Sequence, residues 1–302
     1  MYELAILARG GVLLTVWALA AGWPPGRLAA RLRRDGWQRI CRGAWAVPGK
    51  ETDWRVRETA LQLLRPRYVC HHGTAARLHR IEVLTGAGPV RGSGSSAGAG
   101  SRASLPPGDV CLRRGLRVTT AARTAADLIR ASGSREEAVV TADSALSRRV
   151  VEGVRRDPPV RYEELAAQLS VRRPGAPRAR AWLRLADPAA GSPAETVARL
   201  RMADASLFPE SQPPLRTPAG RPLHPDFLFR AAGLAVEVEG YAYHGTPRAH
   251  ERDIARFNAL QSCPEVHRVL RFTAREVLTR PDRMTATVRT ALEELGAATR
   301  AT

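Results

Sequence analysis

The last third of the chain carries two hydrophobic runs that predict neighbouring β-strands with acids inside them. Residues 234–239 alternate with the period of two that is typical of a strand. Glu237 and Glu239 therefore share one side, roughly 7 Å apart along the strand. The run 223–230 predicts the preceding strand of a hairpin and brings Asp226 beside them. Strand interiors normally carry hydrophobic residues, so these acids need a separate explanation.

Helices and one further strand surround the predicted hairpin. Upstream, Ser192-Pro-Ala-Glu195 has the composition of a helix start, with serine as N-cap, proline in the first turn and Glu195 completing a capping box. Downstream, Pro247 begins another helix, residues 267–273 predict a core strand, and two helices end the chain. This order of elements predicts an α/β core.

The N-terminal block predicts helices followed by a hairpin. Short apolar stretches indicate helices at 2–8 and 14–21, and Pro25 opens a third helix over 25–35. Two short strands then flank Gly43. This is the order of a winged helix-turn-helix, in which the third helix enters the major groove of DNA and the hairpin forms the wing.

Arginines follow the predicted third helix and the wing. Arg27, Arg31 and Arg34 recur with helical spacing, and Arg39 lies on the first strand of the wing. Such a row is typical of a surface that contacts DNA phosphates. A solvated helix face has the same composition, so both interpretations stay open at this point.

The composition favours a polyanionic partner. A formal net charge of +18 predicts nucleic acid, here DNA, as that partner. Lys50 is the only lysine, so the excess is arginine and also matches a GC-rich coding bias. The apolar run 11–23 is too short to span a bilayer, and the four cysteines lack metal or redox spacing. We therefore expect a cytoplasmic protein with no membrane partner.

Shifts in composition divide the chain into blocks of α/β (α+β) class. We predict a winged-helix DNA-binding domain over 1–53, a helical or mixed middle domain over 54–170 and an α/β domain over 189–302. A Gly/Ser-rich flexible loop over 86–108 interrupts the middle domain, and an Arg/Pro-rich linker over 171–188 follows it. The middle domain suggests no function.

The acids of the predicted hairpin have two explanations. Carboxylates on one surface repel one another unless a cation lies among them, and Arg230 is the only basic residue between Asp226 and Glu239. All-oxygen ligands select a hard ion, Mg²⁺ first and Mn²⁺ second, which would polarise a phosphodiester. The alternatives are a solvated sheet face for the hairpin acids and helix capping alone for Glu195.

Two further residues would complete a hydrolytic site. His244 follows the acidic strand by five residues and would protonate the leaving oxygen or orient a water, although a histidine after a strand is often structural. Arg256 lies three residues after Asp253 on the next predicted helix. It would steady a phosphate, or simply form an intrahelical pair.

Residues 192–292 resemble the DUF559 endonuclease-related family, kin to very-short-patch repair endonucleases and the wider PD-(D/E)XK group. The matching pieces are Ser192-Pro-Ala-Glu195, Pro225-Asp226-Phe227, Val236-Glu237-Val238-Glu239-Gly240, His244, Glu251-Arg-Asp253-Ile-Ala-Arg256 and Arg268-Val-Leu-Arg271-Phe-Thr273. The resemblance implies a restriction-endonuclease-like core in which Asp226 and Glu237 bind metal and Glu195 assists them. Glu239 stands where many of these nucleases have lysine, so activity stays open and Arg256 or Arg271 would supply the missing charge.

The N-terminal block resembles the DNA-binding domain of AbiEi-type antitoxins of type IV toxin–antitoxin systems, over residues 13–23 and 37–49. This resemblance implies promoter binding, and it suggests a nucleotidyltransferase-like toxin as a partner. One hypothesis is therefore a DNA-binding protein with a Mg²⁺-dependent endonuclease-like domain that hydrolyses DNA phosphodiester bonds. Its catalytic residues would be Glu195, Asp226, Glu237, Glu239, His244 and Arg256. The other is a non-enzymatic antitoxin-like transcriptional regulator with a degenerate nuclease domain.

Overall fold

A computed structural model describes residues 3–84, 105–239 and 247–301, apart from a few side chains near 247–252 and 298–301. The protein is mixed α/β, and its contacts divide it into two compact units. The first unit falls within 1–79 and 88–124, and the second within 80–87 and 125–302. Among the described residues, none of the helices combines the length and the apolar content needed to cross a membrane. Most of the predicted flexible loop over 86–108 lies outside the described residues.

The first unit is built on a three-stranded antiparallel sheet in which β3 lies between β1 and β2. Its elements are β1 (Val12–Leu14), α1 (Thr15–Ala20), α2 (Pro25–Arg34), β2 (Gln38–Cys41), β3 (Ala44–Ala46), α3 (Trp54–Leu64), α4 (His72–His79), β4 (Val110–Arg113) and β5 (Leu116–Thr119). Next comes α5 (Ala121–Ala131), and the division between the units falls within it. The predicted helices at 14–21 and 25–35 and the hairpin around Gly43 are confirmed.

The α2 helix forms because its start, its end and the spacing of its apolar residues all favour a helix. Pro25 sits in the first turn, Leu28 and Leu32 are buried four residues apart, and Gly36 follows the helix with a φ of +80°. The predicted helix at 2–8 is wrong. Residues 4–7 form turns instead, since so short a segment gains too few hydrogen bonds to offset helix nucleation.

The second unit is built on a four-stranded sheet in the order β13-β12-β11-β8, in which β12 and β13 are parallel and the other pairs antiparallel. Its helices are α6 (Arg135–Leu146), α7 (Tyr162–Ser170), α8 (Ala176–Leu183), α9 (Pro193–Asp204), α10 (Pro247–Gln261), α11 (Ala274–Thr279) and α12 (Pro281–Ala301). Its strands are β6 (Arg149–Val151), β7 (Val154–Arg156), β8 (Glu210–Ser211), β9 (Leu215–Arg216), β10 (Pro222–Leu223), β11 (Phe227–Phe229), β12 (Leu234–Glu239) and β13 (Arg268–Thr273).

The central strand β12 is covered on both faces. Leu234, Val236 and Val238 pack into a core with residues of α9, α11 and α12. Ala235 packs on the opposite face with Leu260 of α10. The alternation predicted from the sequence is therefore confirmed, and it aims Glu237 and Glu239 to the same side.

Two sequence predictions about this unit need correction. The continuous strand predicted over 223–230 is split into β10 and β11, because Pro225 has no N–H to donate to a ladder. The linker predicted over 171–188 contains α8, whose Ala176, Ala179 and Leu183 are buried. Spacings of three and four residues put these side chains on one helix face, so α8 packs against α6 and α7.

A buried polar network joins α6 to α9. Asp143 of α6 is fully buried and accepts hydrogen bonds from Thr196 Oγ1 at 2.8 Å, from Arg199 at 3.0 Å and from the Asp187 N–H at 2.7 Å. Burial raises the pKa of Asp143 to about 6, and the Arg199 guanidinium opposes that rise. The network fixes α9, the helix that carries Glu195, against α6.

Removing Arg199 should destabilise the second unit, since Asp143 would remain as a buried charge without its cation. We expect Arg199→Met to cost about 3 kcal/mol at pH 8, and Asp143→Asn in the same chain to recover most of it. Trp182 is the only tryptophan of this unit, and the other five lie in the first. Labelling with 5-fluorotryptophan therefore lets ¹⁹F NMR follow urea unfolding of this unit alone.

The matched control is Arg148→Met, which removes an exposed pair with Asp157. It should change the unfolding free energy by no more than about 0.5 kcal/mol. Equal effects of the Arg148 and Arg199 substitutions would contradict the role assigned to the network.

Candidate active site

Asp226 and Glu237 are brought together by the pairing of β11 with β12. The register sets Phe227 opposite Val236, so the residues flanking this pair are neighbours. The Asp226 N–H donates to Glu237 Oε1 at 3.2 Å, and Asp226 Oδ2 accepts from the Val238 N–H at 2.7 Å. Backbone donors therefore hold both carboxyl groups at the edge where β11 begins.

Glu195 reaches the same place from the first turn of α9. Ser192 is the N-cap, and its hydroxyl accepts from the Glu195 N–H at 3.2 Å, as predicted. The Glu195 carboxylate does not close the capping box on Ser192, however. It accepts from the Gly191 N–H at 2.7 Å and turns towards the strands. Glu195 is 6% exposed and Asp226 is 9% exposed, so both carboxyls are buried.

Gln212 connects these two carboxyl groups. Its side-chain nitrogen donates to Glu195 Oε2 and to Asp226 Oδ1, each at 3.0 Å. It follows directly after β8, and its own N–H donates to the Asp226 carbonyl at 3.0 Å. One amide group therefore bridges two acids that lie 31 positions apart in the chain.

Burial and mutual repulsion raise the pKa values of this group. Burial, followed by repulsion from Asp226, raises the pKa of Glu195 to about 7. Burial and then Glu237 raise the pKa of Asp226 to about 6. The pKa of Glu237 is also raised by burial, although Arg256 opposes the shift. The surroundings of these three acids therefore favour the binding of a proton or a cation to their carboxylates.

Arg256 of α10 closes the site from the other side. Its guanidinium contacts Glu237 at 3.0 Å from the nearer oxygen and donates to the His224 carbonyl at 2.8 Å. The arginine is 40% exposed and the glutamate 15%, so the pair lies at the boundary with solvent. The sequence analysis assigned Arg256 to a phosphate or to a pair with Asp253 and did not predict this contact with Glu237.

Glu239 points to a different cation. It forms an ion pair with Arg271 of β13, whose guanidinium also stacks over Phe257 of α10 at 4.9 Å from the ring centroid. The parallel register sets Arg271 opposite Glu237, so the ion pair runs diagonally across one face of the sheet. Glu239 is thus partnered by an arginine and does not join the other three acids.

A cavity of about 220 Å³ opens over these side chains. Asp226, Glu237, Glu239 and Asp253 line it together with two arginines, Arg256 and Arg271. With every group ionised, this lining has two more negative than positive charges. Within the described ranges, no three His, Cys, Asp or Glu side chains are arranged closely enough to hold a metal ion as they stand. His244, the predicted proton donor, lies outside the described residues.

The four arginines predicted to contact DNA lie in the first unit and are exposed. Arg27, Arg31 and Arg34 are on α2, and Arg39 is on β2. Arg31 forms an ion pair with Asp35, a partner that the sequence analysis did not consider. Within the described part of the chain, neither Arg27 nor Arg39 has an ion-pair partner.

Among the described residues that contact the acids, Gln212 is a bridging residue that the sequence analysis missed. No spacing rule connects it to Glu195 or Asp226, and its backbone has a φ of +47°, which favours glycine or asparagine. Comparisons with family models, with curated proteins and with solved structures found no match to the chain. The assignment of this site therefore depends on its own geometry.

The raised pKa of Glu195 predicts a pH-dependent effect of Glu195→Gln. Because the folded-state pKa lies above the free value of 4.5, the stability that this group contributes is present below pH 4.5 and is lost as pH rises through about 7. A glutamine side chain cannot ionise, so the variant should match the wild type at pH 4.5 and exceed it by about 2–3 kcal/mol at pH 8. Urea unfolding in EDTA, followed through Trp182, measures this difference.

Glu163→Gln on α7 is the control, because this acid is exposed. It should leave the pH profile unchanged. A stability difference for Glu195→Gln that stays constant from pH 4.5 to 8 would show that burial and repulsion do not act on this carboxyl as described.

Proposed function

We propose that the second unit is a divalent-metal-dependent endonuclease domain that hydrolyses DNA phosphodiester bonds. The observation that carries the proposal is the convergence of Glu195, Asp226 and Glu237 at one sheet edge beside a cavity with excess negative charge. Carboxyl groups are rarely buried together without a cation, because each disfavours ionisation of the next. The resemblance of residues 192–292 to the DUF559 family points to the same activity.

The donor chemistry of these residues fits a hard dication. Every available ligand is an oxygen, which suits Mg²⁺ or Mn²⁺ and not a soft metal. The side chains that donate hydrogen bonds to these acids are the Gln212 amide and the Arg256 guanidinium, and neither is a strong ligand competitor for a metal-binding oxygen. Asp226 and Glu237, with Glu195 in support, would hold the ion. Once held there, it supplies polarisation of the phosphodiester and a lower pKa for the attacking water.

The arginines of the cavity would orient the phosphate. Hydrolysis joins a water oxygen to phosphorus and breaks the bond to the leaving oxygen, which takes up a proton. Arg256 presents its guanidinium at the rim of the cavity, where it can exchange part of its contact with Glu237 for a phosphate oxygen. We assign the donation of the leaving-group proton to His244. This assignment comes from the sequence alone.

Arg271 would replace the lysine that many related nucleases carry at the position of Glu239. The guanidinium comes from the neighbouring parallel strand, and stacking on Phe257 limits its freedom. Glu239 keeps it within the cavity until a phosphate competes for it. A cation is therefore available at this point even though residue 239 is acidic.

Cleavage of supercoiled plasmid tests the proposal. We expect wild-type protein with Mg²⁺ to nick the plasmid, and Asp226→Asn or Glu237→Gln to lower the rate at least about 100-fold, since each removes a charge from the ion site. Asp157→Asn, an exposed acid of the same unit, is the control and should retain the wild-type rate. Equal nicking by all four proteins would mean that a contaminant cleaves the DNA.

A second candidate function is transcriptional regulation by the first unit, in the manner of the AbiEi-type antitoxins. The observation that favours it is the row of exposed arginines on α2 and β2 next to a three-stranded sheet, an arrangement consistent with a winged helix. Under this proposal, the DNA target is the promoter of the protein's own gene, and a nucleotidyltransferase-like toxin is a partner. Both functions can reside in one chain, because they use different units.

The ion pair between Arg31 and Asp35 makes the DNA contacts of α2 unequal. We expect Arg27→Ala to weaken binding to promoter DNA more than Arg31→Ala does, because Asp35 already neutralises part of the charge of Arg31. Loss of one phosphate contact should lower the slope of log K against log salt by about 0.9. Fluorescence anisotropy with a labelled duplex at several salt concentrations measures both quantities.

Arg148→Ala in the second unit removes the same charge elsewhere and serves as the control. If it reduces affinity and salt slope as much as Arg27→Ala, only the net charge matters and α2 is not the contact surface.

A further inference from the structure

We propose that Gln212 is a positioning residue whose side-chain amide stands in for a cation between Glu195 and Asp226. When a divalent cation enters, the amide reverses and its carbonyl oxygen joins the ligands. This inference rests on the proposed function, because it concerns the same site. It assigns a role to a residue that neither the charge pattern nor the family resemblance singles out.

The first argument is the use of both amide hydrogens. An NH₂ group has two N–H bonds, and here one is directed to Glu195 Oε2 and the other to Asp226 Oδ1, both at 3.0 Å. Ionised carboxylates only accept hydrogen bonds, so the nitrogen of Gln212 must face them and the oxygen must face away. The two buried acids thus converge on one partially positive group, as they would on a metal ion.

The second argument is that the backbone of Gln212 is held in place while its amide can turn. A φ of +47° is unusual for a residue with a Cβ, and such outliers concentrate at functional sites. The Gln212 N–H donates to the Asp226 carbonyl at 3.0 Å, and its carbonyl accepts from His224 Nδ1 at 3.2 Å. By contrast, the terminal torsion of glutamine is broad and roughly two-fold. Reversal of the amide therefore exchanges nitrogen for oxygen without moving the chain.

The third argument is chemical exclusion. Hard divalent ions bind oxygen, at about 2.0–2.1 Å in the case of Mg²⁺, and an N–H donor cannot serve as their ligand. A cation bound by both acids therefore cannot coexist with the nitrogen that now bridges them. The carbonyl oxygen of the same amide is a suitable ligand for these ions. Asp226 also lines the solvent-facing cavity, so an ion can reach the Asp226 end of this bridge from solvent.

Two substitutions separate this role from a merely structural bridge. Gln212→Glu replaces the amide by an anionic ligand, and Gln212→Lys replaces it by a permanent cation. Both keep a long side chain and a Cβ, so the backbone strain at residue 212 is the same in all three proteins. A bridge that serves only the fold would tolerate lysine, because an ammonium group can donate to both acids as the amide does.

Binding of Mn²⁺ alone to the full-length protein is the readout, measured from the EPR signal of the free ion. We expect Gln212→Glu to bind Mn²⁺ at least about tenfold more tightly than wild type, since ligand charge sets affinity. Gln212→Lys should bind at least about tenfold more weakly while keeping the wild-type melting temperature in EDTA. If Gln212→Glu is unfolded in EDTA, Mn²⁺ should restore its circular dichroism spectrum.

Two reference proteins make the result decisive. Asp226→Asn defines binding elsewhere in the chain, and Gln261→Glu, an exposed glutamine at the end of α10, controls for an added charge and should bind as wild type does. Wild-type affinity in both Gln212 variants, with binding lost in Asp226→Asn, would overturn the role of Gln212 and leave the endonuclease proposal standing. No difference between wild type and Asp226→Asn would overturn both.

Discussion

The constraint on which the second unit depends is one hydrogen-bonded group of three carboxyls, two of them buried and the third, Glu237, at the boundary with solvent. Glu195 and Asp226 are met by donors that are dipoles and not full charges, the Gly191 N–H and the Val238 N–H. Glu237 accepts from the Asp226 N–H and also pairs with the Arg256 guanidinium. Dipoles offset desolvation only in part, so repulsion remains and the pKa values rise. The start of α9 and the pairing of β11 with β12 bring these N–H donors within hydrogen-bond distance of the carboxyl groups.

The charges of the site are arranged in two layers. Glu195 and Asp226 form an inner layer, in which the amide of Gln212 is the bridging group. Glu237 and Glu239 form an outer layer, paired with Arg256 and Arg271 at the cavity. The proposed dication, held by Asp226 and Glu237 with Glu195 in support, would gain most from Glu195 and Asp226, where negative charge is least compensated. A phosphate gains most from the outer layer, where arginines can exchange partners. This division suits the metal-assisted hydrolysis proposed above.

Strand periodicity and capping rules predicted much of the site from the sequence. Alternation along β12 put Glu237 and Glu239 on one side, and Ser192 was identified as the N-cap of α9. The same rules placed the Glu195 carboxylate on Ser192, but it turns to Gly191 because the strands offer it a second donor. Rules based on neighbouring residues cannot predict whether a side chain will prefer a local capping contact or a contact with a distant part of the chain.

Two other features were beyond local rules. Gln212 enters the site through a left-handed backbone that its residue type does not suggest, and it bridges residues on separate elements. The α8 helix was taken for part of a linker because residues 171–180 are rich in arginine and proline, whereas a few apolar residues of α8 suffice to bury one of its faces. In each case the deciding interaction comes from residues on other elements of the fold.

The packing of α6 against α9 explains how acids that repel one another are held close together. Asp143 and Arg199 form a buried pair between α6 and α9, and such a pair contributes little net stability because both ions lose hydration. It is directional, however, and removing either ion is costly. We infer that it fixes the rotation of α9 and thereby the direction of Glu195. The stability of the unit comes from the apolar packing on both faces of β12. The polar groups contribute little net stability and instead fix the positions of the site residues.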